Sequence, residues 1–282
     1  MTALPQVRRL RLPSGTTLQA LHWACAAPVA PAALLVHGLG DTGWVWQGIA
    51  PMLARDRDVV AVDLRGHGGS DHLPAHAYSV ADMAADVLAL ADLMSLEQPW
   101  LVGHSLGAAV SLCAAGAAPT RFSALAVVDY AAEVPERQLK LVHAVLRSMD
   151  SCYPGVDAYA ALLRRRHPLA CAQLLDAVAA GALRPAEDGG HRPRFDPAVL
   201  AALCNHDSLD RTGEPLARLQ LPVLVVRGAL SSMVSMDGAH QLVKSCAGAR
   251  LAVVPMAGHS VQIDNPQGLL KVLREQLVPE PA

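Results

Sequence analysis

Nine residues, Pro99-Trp-Leu-Val-Gly-His-Ser-Leu-Gly107, carry the strongest chemical signal in the chain. A serine hydroxyl is a weak nucleophile at its own pKa. It needs a turn that exposes it, a base to take its proton, and donors for the negative charge that develops on its substrate. Gly103-His104-Ser105-Leu106-Gly107 meets the first need. An apolar run fit for a buried strand (Trp100–Val102) enters it, and Ala108, Ala109, Val110, Leu112 and Cys113 leave it as a helix-compatible run. Between strand and helix, Gly-x-Ser-x-Gly makes a nucleophile elbow, a turn so tight that only small residues fit two positions either side of the serine. Ser105 then stands at a helix N-terminus, where the N–H of Leu106 is free to meet an oxyanion and the helix dipole favours negative charge.

A second donor is expected from the glycine-rich loop His37-Gly38-Leu39-Gly40-Asp41-Thr42-Gly43, with the Leu39 amide placed beside that of Leu106. His37, Gly38, Trp44 and His104 flank these donors and are read as lining the substrate site. Asp63-Leu-Arg-Gly-His-Gly-Gly-Ser-Asp71 reads as a turn held together by its charges, with His67 as a loop residue.

The elements that must position these groups follow from periodicity. Val7–Leu12 and Thr17–Trp23 alternate about a Pro13-Ser-Gly turn and predict a hairpin. Ala33–Val36, Val59–Val62, Ala124–Val128, Pro222–Arg227 and Arg250–Pro255 are short apolar runs, and without alternation such runs predict strands covered on both faces, hence a parallel sheet. Helices are expected over 44–53, 80–94, from the elbow to 117, over 236–246 and over 265–277. From 131 to 212 the strand rhythm disappears. Helical segments over 133–149, 156–165, 169–181 and 197–204, with a loose stretch at 184–193, suggest a helical cap (131–212) inserted into a core made of 1–130 and 213–282.

A 282-residue chain can bury one large α/β core, and a net charge of −2 favours neither nucleic acid nor an anionic membrane as partner. The N-terminus lacks a secretory apolar core and no segment approaches a membrane span, so the cytoplasm is the expected location. The six scattered cysteines read as buried small apolar residues, and no metal grouping or dinucleotide fingerprint points to a cofactor.

Taken together, these pieces resemble the α/β-hydrolase superfamily from about Val7 to Leu277. The resemblance rests on His37-Gly38 with its glycines, the Asp63–Ser70 loop, Gly103-His-Ser-Leu-Gly107, the mid-chain insertion and Gly258-His-Ser-Val-Gln-Ile-Asp-Asn-Pro266. It implies a mostly parallel sheet flanked by helices, Ser105 as nucleophile, His259 as general base, the amides of Leu39 and Leu106 as oxyanion hole, and a cap that shapes the pocket. The residues agree, since a histidine near its ordinary pKa of about 6.5 can accept a serine proton and return it.

The acid is the departure. Many relatives carry it after the strand equivalent to Pro222–Arg227, where this chain has Ser231 and Ser232. Asp129, at the end of the strand after the elbow helix, and Asp237, at a predicted helix start where capping is its competing role, are the alternatives, alongside a dyad with no carboxylate. Asp129 is the expected partner of His259, because it ends a strand in the same row of loops and keeps the order Ser, Asp, His.

Two function classes follow. One is a serine hydrolase acting on an ester, thioester or lactone of a small to medium apolar acyl compound, free or carrier-bound. The other is a non-hydrolytic member of the fold, performing an elimination or binding a ligand. Met149, Tyr153, Tyr159 and Arg164-Arg-Arg-His167 belong to the cap; the basic cluster reads as a solvated helix end, with an anionic carrier arm as the alternative. Substrate identity and oligomeric state are not encoded in these patterns.

Overall fold

β1 (Gln6–Arg11) and β2 (Thr17–Trp23) form the expected antiparallel hairpin, and β2 continues antiparallel onto β4 (Val59–Val62). From there the sheet is parallel: β4, β3 (Ala33–Val36), β5 (Trp100–His104), β6 (Ala124–Val128), β9 (Val223–Gly228) and β10 (Arg250–Val254) lie side by side in that order. The computed structural model describes residues 4–131, 152–187, 189–204 and 219–277. The helix expected over 133–149, with Met149, and the cap residues from 205 to 212 lie outside the described residues.

The unbroken apolar strands are explained by two buried faces. Leu34, Val36, Val60, Val62, Leu101, Leu125 and Val127 pack on one side of the sheet with α2 (Val80–Leu93) and α3 (Leu106–Ala117). Ala33, Leu35, Val59, Ala61, Trp100, Val102, Ala124 and Ala126 pack on the other, with Trp46, Ile49 and α8 (Pro266–Gln276). Successive side chains thus alternate between two apolar layers, so alternation is invisible in the sequence.

The segment between β6 and β9 contains α4 (Val156–Arg166), α5 (Ala172–Ala182) and α6 (Pro197–Cys204). The stretch read as loose is instead a two-stranded antiparallel hairpin, β7 (Leu183–Pro185) with β8 (His191–Pro193). It is held from outside: the Tyr153 N–H donates to His191 O and the His191 N–H to Tyr153 O, both at 2.8 Å, and the Arg194 N–H donates to Ala182 O at 2.8 Å. The same segment is tied to the sheet. The Gly68 N–H donates to Arg194 O at 2.7 Å, the Asp196 N–H to Gly66 O at 2.8 Å, and the Tyr78 hydroxyl to Asp196 at 2.6 Å.

Three further expectations are corrected. The helix read over 44–53 is a 3₁₀ turn at Gly43–Gly48 followed by α1 (Ala50–Leu53); a Cβ at Gly48 would lie 2.9 Å from Pro266 Cβ, so the chain is pinned there against another element. The cysteines are not uniformly buried: Cys246 is, but Cys152 and Cys171 are exposed. α7 (Met236–Ser245) is capped by Ser235, which accepts from the Gly238 N–H, and not by Asp237. Among the described residues no helix is long and apolar enough to cross a membrane.

Candidate active site

The C-terminal ends of five parallel strands lie level. Val36 pairs with Gly103, His104 with Val128, Val128 with Val226, and Val254 with Gly228. Chain order runs outward from β3 to β4 and then returns to β5 on the other side of β3. The crevice at such a reversal is where open α/β sheets bind ligands. The His37 and Ser105 loops meet there.

Ser105 has φ +52° and ψ −118°, outside the ordinary wells of an L residue, and its N–H donates to Val128 O at 3.0 Å. Such a conformation costs on the order of 1–3 kcal/mol and persists only where the surroundings enforce it. Here they do. A Cβ at Gly107 would lie 2.3 Å from Val36 O and 2.5 Å from His37 O, and one at Gly103 would lie 2.3 Å from Gly107 O. The start of α3 therefore rests directly on the backbone leaving β3. We expect Gly107→Ala to lower the thermal midpoint by several degrees, because rigid backbone must move to admit the methyl, a cost of about 2–4 kcal/mol. A scan showing an unchanged midpoint would contradict this packing. Leu106 opens α3, so its N–H has no intrahelical acceptor.

The loop after β3 is stapled to the loop after β4 by buried side chains. His37 donates from Nδ1 to Gly38 O (2.8 Å) and accepts the Leu64 N–H at Nε2 (3.0 Å); His67 donates from Nδ1 to Arg65 O (3.0 Å) and accepts the Gly40 N–H at Nε2 (3.1 Å). These roles require neutral rings. Burial supplies that, lowering His37 to about 4 and His67 well below the usual histidine range. Asp63 accepts from Gly43 N (2.6 Å), Gly69 N (2.9 Å) and Gln19 Nε2 (2.8 Å), and burial still pushes it up to about 6. Gly40 and Gly43 are thus fixed on either side of Asp41, and the N–H of Leu39 has no acceptor among the described residues.

His259 lies in the loop after β10. Its Nδ1 is 2.8 Å from Oδ2 of Asp129, which is fully buried at the end of β6 with φ +47°. Asp129 also accepts the Gly228 N–H at 2.9 Å and the Ser231 hydroxyl at 2.6 Å. Ser231, in the loop after β9 where many relatives carry a carboxylate, thus donates to the carboxylate at the end of β6. Asp237 is exposed in the first turn of α7. The His259 loop is held by the His104 Nε2–H, which donates to His259 O at 2.9 Å, and by Asp264, which accepts the Gly258 N–H at 2.8 Å. His167, at the end of α4, meets the other oxygen of Asp264 at 2.9 Å.

The structure brings Ser105, His259, Asp129 and the Leu39 and Leu106 amides to one row of strand ends, and corrects the reading of the lining. His37 is wholly buried with both nitrogens engaged, so it has no surface for a substrate. Gly38 is buried against the His104 ring, with its carbonyl taken by His37 and by the Asp41 N–H. His104 is also buried, accepting from Gln262 Nε2 at 3.2 Å, and burial holds it well below the usual histidine range. All three hold loops. Trp44 is half-buried, its indole against Gly181 of α5, where a Cβ would lie 2.1 Å from the ring. Sequence reasoning missed Asp41, Gln262 and Asp264; a carboxylate within a glycine-rich loop was the available signal for the first, and the other two act only through tertiary contacts.

With this geometry in place, comparison with known proteins is direct. Residues 31–266 match the family model described as alpha/beta hydrolase fold, and the chain belongs to that family. It is 30% identical over 244 residues to the 2-(acetamidomethylene)succinate hydrolase of Mesorhizobium japonicum, covering 86% of each chain. Among solved structures it resembles an E-2-(acetamidomethylene)succinate hydrolase at TM-score 0.87 and 27% identity, covering 96% of this chain and 98% of that one. It also resembles the thioesterase domain from the curacin biosynthetic pathway at TM-score 0.80 and 25% identity, covering 96% of this chain and all (100%) of that one. These relatives are hydrolases by name, which supports hydrolase activity here.

Proposed function

We propose that this protein is a serine hydrolase that cleaves an ester, thioester or lactone bond of a small to medium acyl compound through an acyl-enzyme. The observation that carries the proposal is the Asp129–His259 contact at 2.8 Å on the strand ends that also present the strained Ser105. In this reading Asp129 holds the proton of His259 on Nδ1, which leaves Nε2 free to take the Ser105 proton as Oγ attacks the acyl carbon. The oxyanion is met by the amides of Leu39 and Leu106. Collapse expels the alcohol or thiol, which takes the proton from His259. Water then attacks the acyl-enzyme, gives a proton to His259, and the acid leaves as that proton returns to Ser105.

Residues 131–212 act as a cap over this site in the same reading, with Trp44 against Gly181 and His167 on Asp264 as its anchors to the core. The case for a non-hydrolytic member rests on the carboxylate missing after β9; the Asp129–His259 contact from β6 supports the hydrolytic reading against it. The acetamidomethylene succinate of the Mesorhizobium relative is not carried over, since the proposal is set by the bond type and not by that acid. The test is an aryl fluorophosphonate, which phosphonylates only an activated serine. Peptide mass spectrometry is expected to find the adduct on Ser105. An unmodified Ser105 after prolonged exposure would overturn the proposal.

A further inference from the structure

Asp41 lies beside His104 and within electrostatic reach of His167 and His259, and it is hydrogen-bonded to none of the three. It sits two residues after the Leu39 amide with its own N–H spent on Gly38 O at 3.1 Å, and its side chain keeps 30% of its surface exposed. Oδ2 lies 3.9 Å from His104 Nδ1, but that nitrogen accepts from Gln262 and has no proton to offer. His259, in the loop after β10, and His167, at the end of α4, act on the Asp41 charge, but the first is already bonded to Asp129 and the second to Asp264. Tyr159 of α4 faces it as well, and burial together with the Asp41 charge raises the phenol above its ordinary range. Among the described residues no donor lies within hydrogen-bonding distance of the Asp41 carboxylate, and His167 and His259 act on its charge without bonding to it. Burial pushes it up to about 6, so at pH 8 it is ionised and partly dehydrated, with no hydrogen-bonded counter-charge among the described residues.

A surplus carboxylate two residues from an oxyanion donor lies within a few bonds' reach of any acyl group whose carbonyl oxygen sits on that donor. Resting on the serine hydrolase reading above, we propose that Asp41 selects the acyl group: it receives a cationic group carried a few bonds from the carbonyl, at the end of an otherwise apolar chain, and turns away acyl groups that end in a carboxylate. The chemistry is simple complementarity, which acts on specificity through attraction of one sign and repulsion of the other.

Three p-nitrophenyl esters of matched length test this on the full chain: those of 4-(trimethylammonio)butanoic acid, of its uncharged isostere 5,5-dimethylhexanoic acid, and of glutaric acid as hemiester. At pH 8 kcat/KM for the cationic ester is expected to exceed that for the isostere by about tenfold or more, with the hemiester below both. Asp41→Asn should bring the cation-to-isostere ratio to within about threefold of unity, and Asp41→Glu should retain a preference for the cation.

The wild type supplies an independent reading should the variants fail to fold. Because Asp41 takes up a proton as pH falls through about 6, the same ratio should shrink between pH 7 and 5. A ratio near unity in the wild type, or one unchanged by Asp41→Asn and flat with pH, overturns the assignment while leaving Ser105 labelling and isostere hydrolysis intact. If Ser105 stays unlabelled and all three esters survive, the hydrolase reading itself has failed and takes this one with it.

Discussion

Ser105→Ala is expected to lower hydrolysis of p-nitrophenyl butyrate by about 10⁵-fold or more, with the circular dichroism spectrum and thermal midpoint preserved. The size follows from the proposed mechanism, in which the hydroxyl makes the covalent intermediate and no neighbouring group takes over that bond. Preservation of the fold follows from the geometry. Alanine keeps the Ser105 N–H bond to Val128 O, and the positive φ at this position is enforced by Gly103 and Gly107, not by the hydroxyl. Residual turnover should reflect only the oxyanion amides and binding. Activity near the parent level in a correctly folded variant would remove Ser105 from the chemistry, and with it the acyl-enzyme.

The sheet was legible in the sequence because its strands are short apolar runs buried on both faces, so Ala33–Val36, Val59–Val62 and Ala124–Val128 fall where composition alone places them. The β7–β8 hairpin was not legible for the opposite reason. Leu183–Pro185 and His191–Pro193 have no alternation, and each ends in a proline; their pairing is secured by Tyr153 and Arg194, contacts made by residues outside the two strands. Gly48 illustrates the same limit: helical spacing runs through it, but the chain there lies too close to Pro266 to carry a side chain, and Pro51 in the first turn of α1 has no N–H to continue a helix from the 3₁₀ turn.

At the site, legibility divided by whether a role is local. Ser105 sits inside its own motif, and so does the amide of Leu106. His37, Gly38 and His104 lie equally close in sequence to the motifs, yet their rings and carbonyl are turned inward to hold the loops of Leu64, Asp41 and His259. Proximity in sequence names the neighbourhood and says nothing of which way a side chain faces. Burial decides that, and burial is tertiary. Ser231 shows it most clearly: the sequence marks it as a missing acid, whereas in space its hydroxyl completes the hydrogen bonding of Asp129.

The acid is therefore the sharpest test. Asp129→Asn is expected to lower kcat by about 10³- to 10⁴-fold with little change in KM or thermal midpoint. The amide oxygen can still accept the Gly228 N–H, and the Ser231 hydroxyl can rotate to accept from the amide nitrogen, so the buried position keeps its bonds. What changes is His259. Facing an N–H donor instead of a carboxylate, its Nδ1 must become the acceptor, the proton moves to Nε2, and the lone pair that should take the Ser105 proton is gone. Ser231→Ala leaves the Gly228 and His259 contacts of the carboxylate in place and for that reason should cost less than about tenfold in kcat. Asp237→Asn, exposed on α7, should also cost less than about tenfold. A double variant, Asp129→Asn with Ser231→Asp, puts a carboxylate back within reach of the imidazole and should recover part of the loss. Full activity in Asp129→Asn would leave His259 working without a carboxylate, and a large loss in Asp237→Asn alone would move the acid to α7 despite the 2.8 Å contact between His259 and Asp129.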